Sequence, residues 1–317
     1  MSARNTRARR PDRRTPAATA KFAAAETTGP MQAVDYYRCQ IGDADYLFAL
    51  AGEGEPVLLL HGFPQTHYCW RAIIPGLAET HTVVAPDLRG YGASRAPAGR
   101  ARGEGFSKRE MAADLVGLMG RLGFDCFAVV GHDRGGRVAY RMALDRPTHV
   151  ELLAVLNVIP TVDQFGRMAG GPSLGYWPWY LLAQPAPFPE QLIAAAPTQF
   201  LRFIFDSWTA DASAIDDDAF AVYLDAFGPA AEAICADYRA SFWLDRAHDE
   251  EDRRNGRRIE SPTLVVTGAD ETQLADAAAV WRRWADDVHA ATAPGGHFIP
   301  EEAPDVLVAE LRRFLSE

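Results

Sequence analysis

The 317-residue chain is 48% hydrophobic and 23% charged, enough apolar material for one large domain or for a core carrying an insertion. Nowhere do about 18 apolar residues run uninterrupted, which excludes a membrane-spanning helix. Four scattered cysteines (Cys39, Cys69, Cys126, Cys235) argue against a disulfide scaffold or structural zinc and for a reducing, cytoplasmic setting, and a net charge of −10 offers no footprint for nucleic acid.

The charge is uneven. Residues 1–30 hold seven basic side chains (Arg4, Arg7, Arg9, Arg10, Arg13, Arg14, Lys21) against Asp12 and Glu26, which leaves −15 on the remainder. This head lacks the apolar block of a secretory signal. It reads as a disordered basic tail over 1–32, with Met31 opening the globular pattern; a basic arm for an acidic partner and a targeting segment are the alternatives.

From there the pattern alternates. Tyr36–Leu50 breaks at Gly42-Asp43, as a hairpin does. Pro56–Leu60 is a solid apolar run ending in His61-Gly62-Phe63-Pro64, which suits a strand buried on both faces. A helix is expected over Tyr68–Glu79 and a strand over Thr82–Ala85. Ser107 and Glu110 form a capping box for a helix to about Arg121. Cys126–Val130 is a strand entering Gly131-His-Asp-Arg-Gly-Gly136, a helix follows to about Asp145, and Val150–Val158 is a strand. Residues 161–257 turn helical and rich in Trp, Tyr, Phe and Pro. Thr263–Thr267 restores the strand pattern. A helix near Leu274–Trp284, a strand near Val288–Thr292, the turn Pro294-Gly-Gly-His297 and a helix over Asp305–Leu315 complete the chain. This is an α/β pattern. It predicts a mostly parallel twisted sheet with right-handed crossovers, a core of 33–160 and 258–317, and a helical cap of 161–257 over the strands' C-terminal ends.

The strand–helix junction carries the chemistry. Gly131-His132-Asp133-Arg134-Gly135 has the form G-x-nucleophile-x-G. A chain reversing within a few residues needs small flanks, and the strain lifts the central side chain into the site. The bland alternative makes Asp133 a simple helix cap.

Together, His61-Gly-Phe-Pro64, Asp87-Leu-Arg-Gly-Tyr-Gly92, Gly131-His-Asp-Arg-Gly135 and Gly296-His297-Phe298 make the chain resemble the α/β-hydrolase superfamily, and within it the haloacetate (fluoroacetate) dehalogenases. The resemblance covers about 33–317, including Leu182–Pro187 and Asp237–Ala240. An aspartate at the elbow is ionised at pH 7 and needs no base to attack an sp³ carbon. The resulting alkyl ester must be hydrolysed, and His297 is the candidate base that activates water. The backbone N–H groups of Arg134 and Phe63 are the expected oxyanion donors. Arg134 and Arg137 oppose the dipole of the helix they start, which makes sense if an anion sits there; the resemblance implies that both hold a haloacid carboxylate. It also implies that Trp179 and Tyr238 receive the halide, with Trp177 as a substitute.

Two departures stand out. The resemblance expects an acid where Leu153-Ala-Val-Leu-Asn157 ends in an amide; the superfamily's second location, in Thr267-Gly-Ala-Asp-Glu271, offers Asp270 and Glu271, and the sequence does not separate them. Pro178 stands where the resemblance expects a histidine donor. One missing charge-assisted hydrogen bond, about 1.5–3 kcal/mol, predicts weak turnover of fluoroacetate relative to chloroacetate or bromoacetate.

The implied reaction is hydrolytic dehalogenation of short 2-halo acids. An epoxide hydrolase using Tyr238 with Tyr176 or Tyr180 is the competing enzyme, and a non-catalytic binding protein is the alternative from another class. No cofactor and no metal are implied. The expected partners are a small anionic substrate and water, with neither nucleic acid nor membrane, and a homodimer is compatible with this class.

Overall fold

The computed structural model describes residues 23–24, 31, 34–168 and 174–316. Apart from 23–24 and 31, the expected basic tail lies outside the described residues. Ala23–Ala24 (β1) nevertheless pair antiparallel with Arg38 and Tyr37, adding a two-residue strand within the stretch read as a tail.

The further strands are β2 (Asp35–Ile41), β3 (Ala44–Ala51), β4 (Glu55–Leu60), β5 (His81–Pro86), β6 (Phe127–His132), β7 (Val150–Leu156), β8 (Thr263–Gly268) and β9 (Val288–Ala293). Among the described residues they form one sheet in the order β1-β2-β3-β5-β4-β6-β7-β8-β9. The β2–β3 hairpin sits antiparallel on one edge, and β5, β4, β6, β7, β8 and β9 run parallel. The apolar runs are buried on both faces, Val57–Leu60 and Phe127–His132 throughout. That follows from helices covering the sheet on each side.

The helices in chain order are α1 (Ile74–Ala78), α2 (Lys108–Arg121), α3 (Arg134–Asp145), α4 (Thr161–Arg167), α5 (Trp177–Leu181), α6 (Phe188–Ala195), α7 (Pro197–Trp208), α8 (Asp217–Phe227), α9 (Ala231–Ala240), α10 (Arg246–Arg254), α11 (Ala277–Trp281), α12 (Ile299–Glu302) and α13 (Pro304–Leu315). Ser107 and Glu110 form the expected capping box at α2. The helix expected over Tyr68–Glu79 is instead a 3₁₀ turn at His67–Trp70 followed by α1. Pro75 explains the break, because proline is tolerated in a helix's first turn and not in its interior. Helices α4–α10 all lie between β7 and β8 in the chain. Among the described residues no single helix is long and apolar enough to cross a membrane.

Chain order along the sheet reverses at β4. Strand β5 lies on one side of it and β6 on the other. The loops after β4 and β6 therefore leave adjacent strands and face each other across a crevice, the place where open α/β sheets bind ligands.

Candidate active site

Asp133 ends β6 and starts α3 with φ 47° and ψ −112°, a left-handed conformation for a non-glycine residue. Such a conformation costs on the order of 1–3 kcal/mol and persists only where the surroundings impose it. They do so here: a Cβ on Gly135 would lie 2.2 Å from Leu60 O, and one on Gly62 would lie 2.5 Å from Asp133 Cβ. Small residues at both positions let the β4 loop close onto the elbow. Phe63 N–H then donates to Asp133 Oδ1 at 2.9 Å.

The other oxygen, Oδ2, lies 3.9 Å from His297 Nε2. Burial would raise the Asp133 carboxyl, but His297, Arg134, His132 and Arg137 outweigh it and hold it below its ordinary value. Asp133 is therefore an ionised carboxylate at neutral pH.

His297 Nδ1 faces Glu271 Oε1 at 3.5 Å. Burial disfavours the imidazolium, yet the hydrogen bond and charge of Glu271, together with Asp133, raise the imidazole above its usual value. Glu271 is lowered in turn, against its own burial. Asp270, the other acid in this turn, is exposed, and its carboxylate forms no ion pair among the described residues; its N–H donates to Gly295 O at 3.1 Å. Asn157 makes no hydrogen bond to the imidazole. Its amide donates to the carbonyls of Gly296 and His297, 2.8 Å each, and accepts from Gly268 N–H at 2.8 Å. His132 and His61 are each lowered to about 4 by burial and stay neutral. His61 accepts from Leu88 N–H and locks the β4 loop.

The two arginines differ. Arg134 is fully buried and pairs with Asp237: Nε donates to Oδ2 at 3.0 Å and Nη2 to Oδ1 at 2.5 Å. Nη2 also reaches Ser241 Oγ at 2.6 Å, so Nη1 alone is left without a partner. Of the Arg134 guanidinium, which the resemblance implies holds a ligand carboxylate with Arg137, only Nη1 is left free, because Asp237, 103 residues away, occupies its fork. Asp237 also binds Lys108 and accepts from Tyr91 Oη at 2.8 Å. Arg137 is 3% exposed, and Nη1 meets only neutral oxygens, Ile159 O at 3.0 Å and Thr161 Oγ1 at 3.2 Å. Nε has no partner, and no carboxylate among the described residues lies within ion-pair distance. Burial pushes this guanidinium down from its ordinary value. Its carbon lies 4.6 Å from the Trp179 ring centroid, while that of Arg134 sits 4.2 Å over Tyr238.

Asp133, Arg137, Glu271 and His297 line a cavity of about 410 Å³ together with Trp179 and Tyr238, whereas Arg134 and Phe63 are not among its lining residues. Trp177 and Tyr176 line it too, whereas Tyr180 Oη turns away to Met168 O at 2.7 Å. Sequence reasoning missed several residues, three of them notable. Gln164 and Trp208 line the cavity with no motif to mark them. Glu302 binds the His297 turn; an acid five residues past that histidine was the available signal.

Comparison with known proteins adds to this geometry. The family model of the alpha/beta hydrolase fold matches residues 55–304. A fluoroacetate dehalogenase from Burkholderia sp is 41% identical over 87% of this chain and 92% of that protein. A soluble epoxide hydrolase from Corynebacterium sp. (strain C12) is 30% identical over 89% of this chain and 98% of its own length. The crystal structure of a candidate alpha/beta hydrolase from Nostoc sp PCC 7120 superposes with a TM-score of 0.86 at 42% identity, covering 90% of this chain and 98% of that one.

Proposed function

Because this chain belongs to the α/β-hydrolase fold family, we propose that it is a hydrolytic dehalogenase of short 2-halo carboxylic acids. The 41% identity to a fluoroacetate dehalogenase supports the carbon–halide reaction class. The observation that carries the substrate class is Arg137, a buried cation with no carboxylate within ion-pair distance among the described residues, in the cavity that holds Asp133 and His297. A buried charge without an ion-pair partner is costly, on the order of several kcal/mol, and a bound anion offsets that cost. A substrate carboxylate at Arg137, which lines the cavity together with Asp133, brings its α-carbon to Asp133.

Asp133 Oδ2 attacks that carbon and the halide leaves with the C–X electron pair. Trp179 Nε1 and Tyr238 Oη, neither hydrogen-bonded to a described residue, are the proposed halide donors. His297 Nε2 then takes a proton from water, whose oxygen adds to the Asp133 carboxyl carbon. Oδ1 becomes the oxyanion and receives Phe63 N–H. The intermediate collapses, the alkoxide leaves with a proton, and Asp133 is restored. The sum is haloacid and water giving hydroxy acid, halide and a proton. Glu271 stabilises the imidazolium formed on the way, completing a triad in this proposal. The helical block that supplies Trp179, Trp208 and Tyr238 acts as the cap, excluding water from the displacement step.

The test is halide release from matched fluoro-, chloro- and bromoacetate, beside 2-halopropionates and small epoxides. Halide together with hydroxy acid supports the proposal. Diol formation without turnover of any haloacid supports instead the epoxide reading, which Tyr176 and Tyr238 favour because both line the cavity.

A further inference from the structure

The turn carrying His297 is held more tightly than a loop needs to be. Every peptide group from Gly296 to Phe298 has a partner. Asn157 takes the carbonyls of Gly296 and His297, and His132 Nε2 reaches the latter at 2.7 Å. His297 N–H donates to Trp208 O at 2.8 Å, and Phe298 O accepts from Glu301 N–H at 2.8 Å. The two remaining N–H groups, those of Gly296 and Phe298, go to one carboxylate. Glu302 Oε2 accepts from Gly296 at 2.8 Å and Oε1 from Phe298 at 2.9 Å. Oε2 also accepts from Ala210 N–H at 2.8 Å, in the segment that follows α7. The tandem glycines permit this arrangement: a Cβ on Gly295 would lie 2.8 Å from Glu302 Cβ, and one on Gly296 would lie 2.6 Å from Trp208 O.

We propose that Glu302 is a positioning residue for the second half of the reaction, its carboxylate clamping the peptides on both sides of His297 and tying them to the helical block at Ala210. With the backbone saturated, the imidazole retains only its side-chain torsions. Its Nε2 must hold a water against the Asp133 ester within hydrogen-bond reach, a geometry in which displacements of about 1 Å are expensive. The first half-reaction asks nothing of this turn, because Asp133 attacks as a carboxylate that is already ionised. Glutamine cannot replace the acid: an amide nitrogen in place of Oε1 faces Phe298 N–H, and in place of Oε2 it faces two N–H groups. Either way a donor meets a donor.

The inference rests on the proposed ester at Asp133, and the test separates the two. Rapid-quench kinetics with chloroacetate resolves halide release from hydroxy-acid release, and mass spectrometry of the quenched protein reads the ester. In Glu302→Gln, halide release in the first turnover stays within about twofold, ester hydrolysis slows roughly tenfold or more, and Asp133 is recovered alkylated. Amide exchange at Gly296 and Phe298 accelerates. Equal loss of both steps, or loss of neither, overturns the clamp while the ester stands. Absence of any Asp133 adduct, even in His297→Gln, overturns both. If Glu302→Gln fails to fold, Ala210→Pro removes one donor to the carboxylate and leaves Glu302 in place. Slower hydrolysis with unchanged alkylation supports the clamp, and unchanged hydrolysis overturns it.

Discussion

Replacing Glu271 by glutamine removes the only carboxylate within ion-pair distance of His297 Nδ1 among the described residues and leaves the side-chain shape unchanged. The contact is an ion pair at 3.5 Å, at the outer limit of hydrogen-bond reach, but both groups are largely enclosed, with side-chain exposures of 13% for His297 and 23% for Glu271. Hydrogen bonds to charged groups contribute about 1.5–3 kcal/mol, so hydrolysis of the ester should slow roughly 10- to 150-fold. The sign of the pH effect follows from the same pair. Glu271 raises the imidazole, so its loss lets His297 give up its proton at lower pH. The acid limb of the hydrolysis rate, which requires neutral His297, therefore moves to lower pH as the maximum falls. Rapid-quench kinetics across pH reads both, with the halide burst serving as the unaffected reference. Asp270→Asn should change neither quantity. Hydrolysis within twofold of wild type in Glu271→Gln, together with a large loss in Asp270→Asn, would refute the reasoning.

Four further outcomes are expected. His297→Gln should release about one halide per active site and stop, with a mass adduct on Asp133. Arg137→Met should lose roughly 10- to 150-fold in kcat/KM for chloroacetate yet little for chloroacetamide, which lacks the anion; equal losses would remove Arg137 from carboxylate recognition. Asp237→Asn leaves Arg134 and Lys108 buried with one fewer counter-charge, so denaturant unfolding should show a loss of about 3–5 kcal/mol. Asp87 is lowered to about 2, against its burial, chiefly by His67. Its contribution, about 2–3 kcal/mol, is present above pH ~4 and lost as pH falls toward ~2, so Asp87→Asn should flatten the acid limb of stability over that window.

What was legible in the sequence was local. The Gly131–Gly135 elbow is a steric pattern, since no residue with a Cβ fits at Gly135, and the apolar runs at Val57–Leu60 and Phe127–Val130 announce strands buried on both faces. The capping box at Ser107 is likewise a four-residue code. What escaped was long-range. Asp237 reaches Arg134 across 103 positions, and no spacing rule links them. The choice between Asp270 and Glu271 depends on how the turn after β8 points its side chains, which the residue types alone do not say. Asn157 falls at the end of β7, where an acid was expected; its role there is to bind the carbonyls of the His297 turn, a function an amide can perform because it donates.

The central claim is a covalent bond to Asp133, and oxygen isotopes test it most directly. In a single turnover of chloroacetate with excess enzyme in oxygen-18 water, the product hydroxyl should carry the light oxygen of Asp133. The heavy isotope should appear in the peptide containing that residue. Heavy oxygen in the product of the first turnover, with an unlabelled Asp133 peptide, would mean that water attacks the substrate directly, and the account would be contradicted.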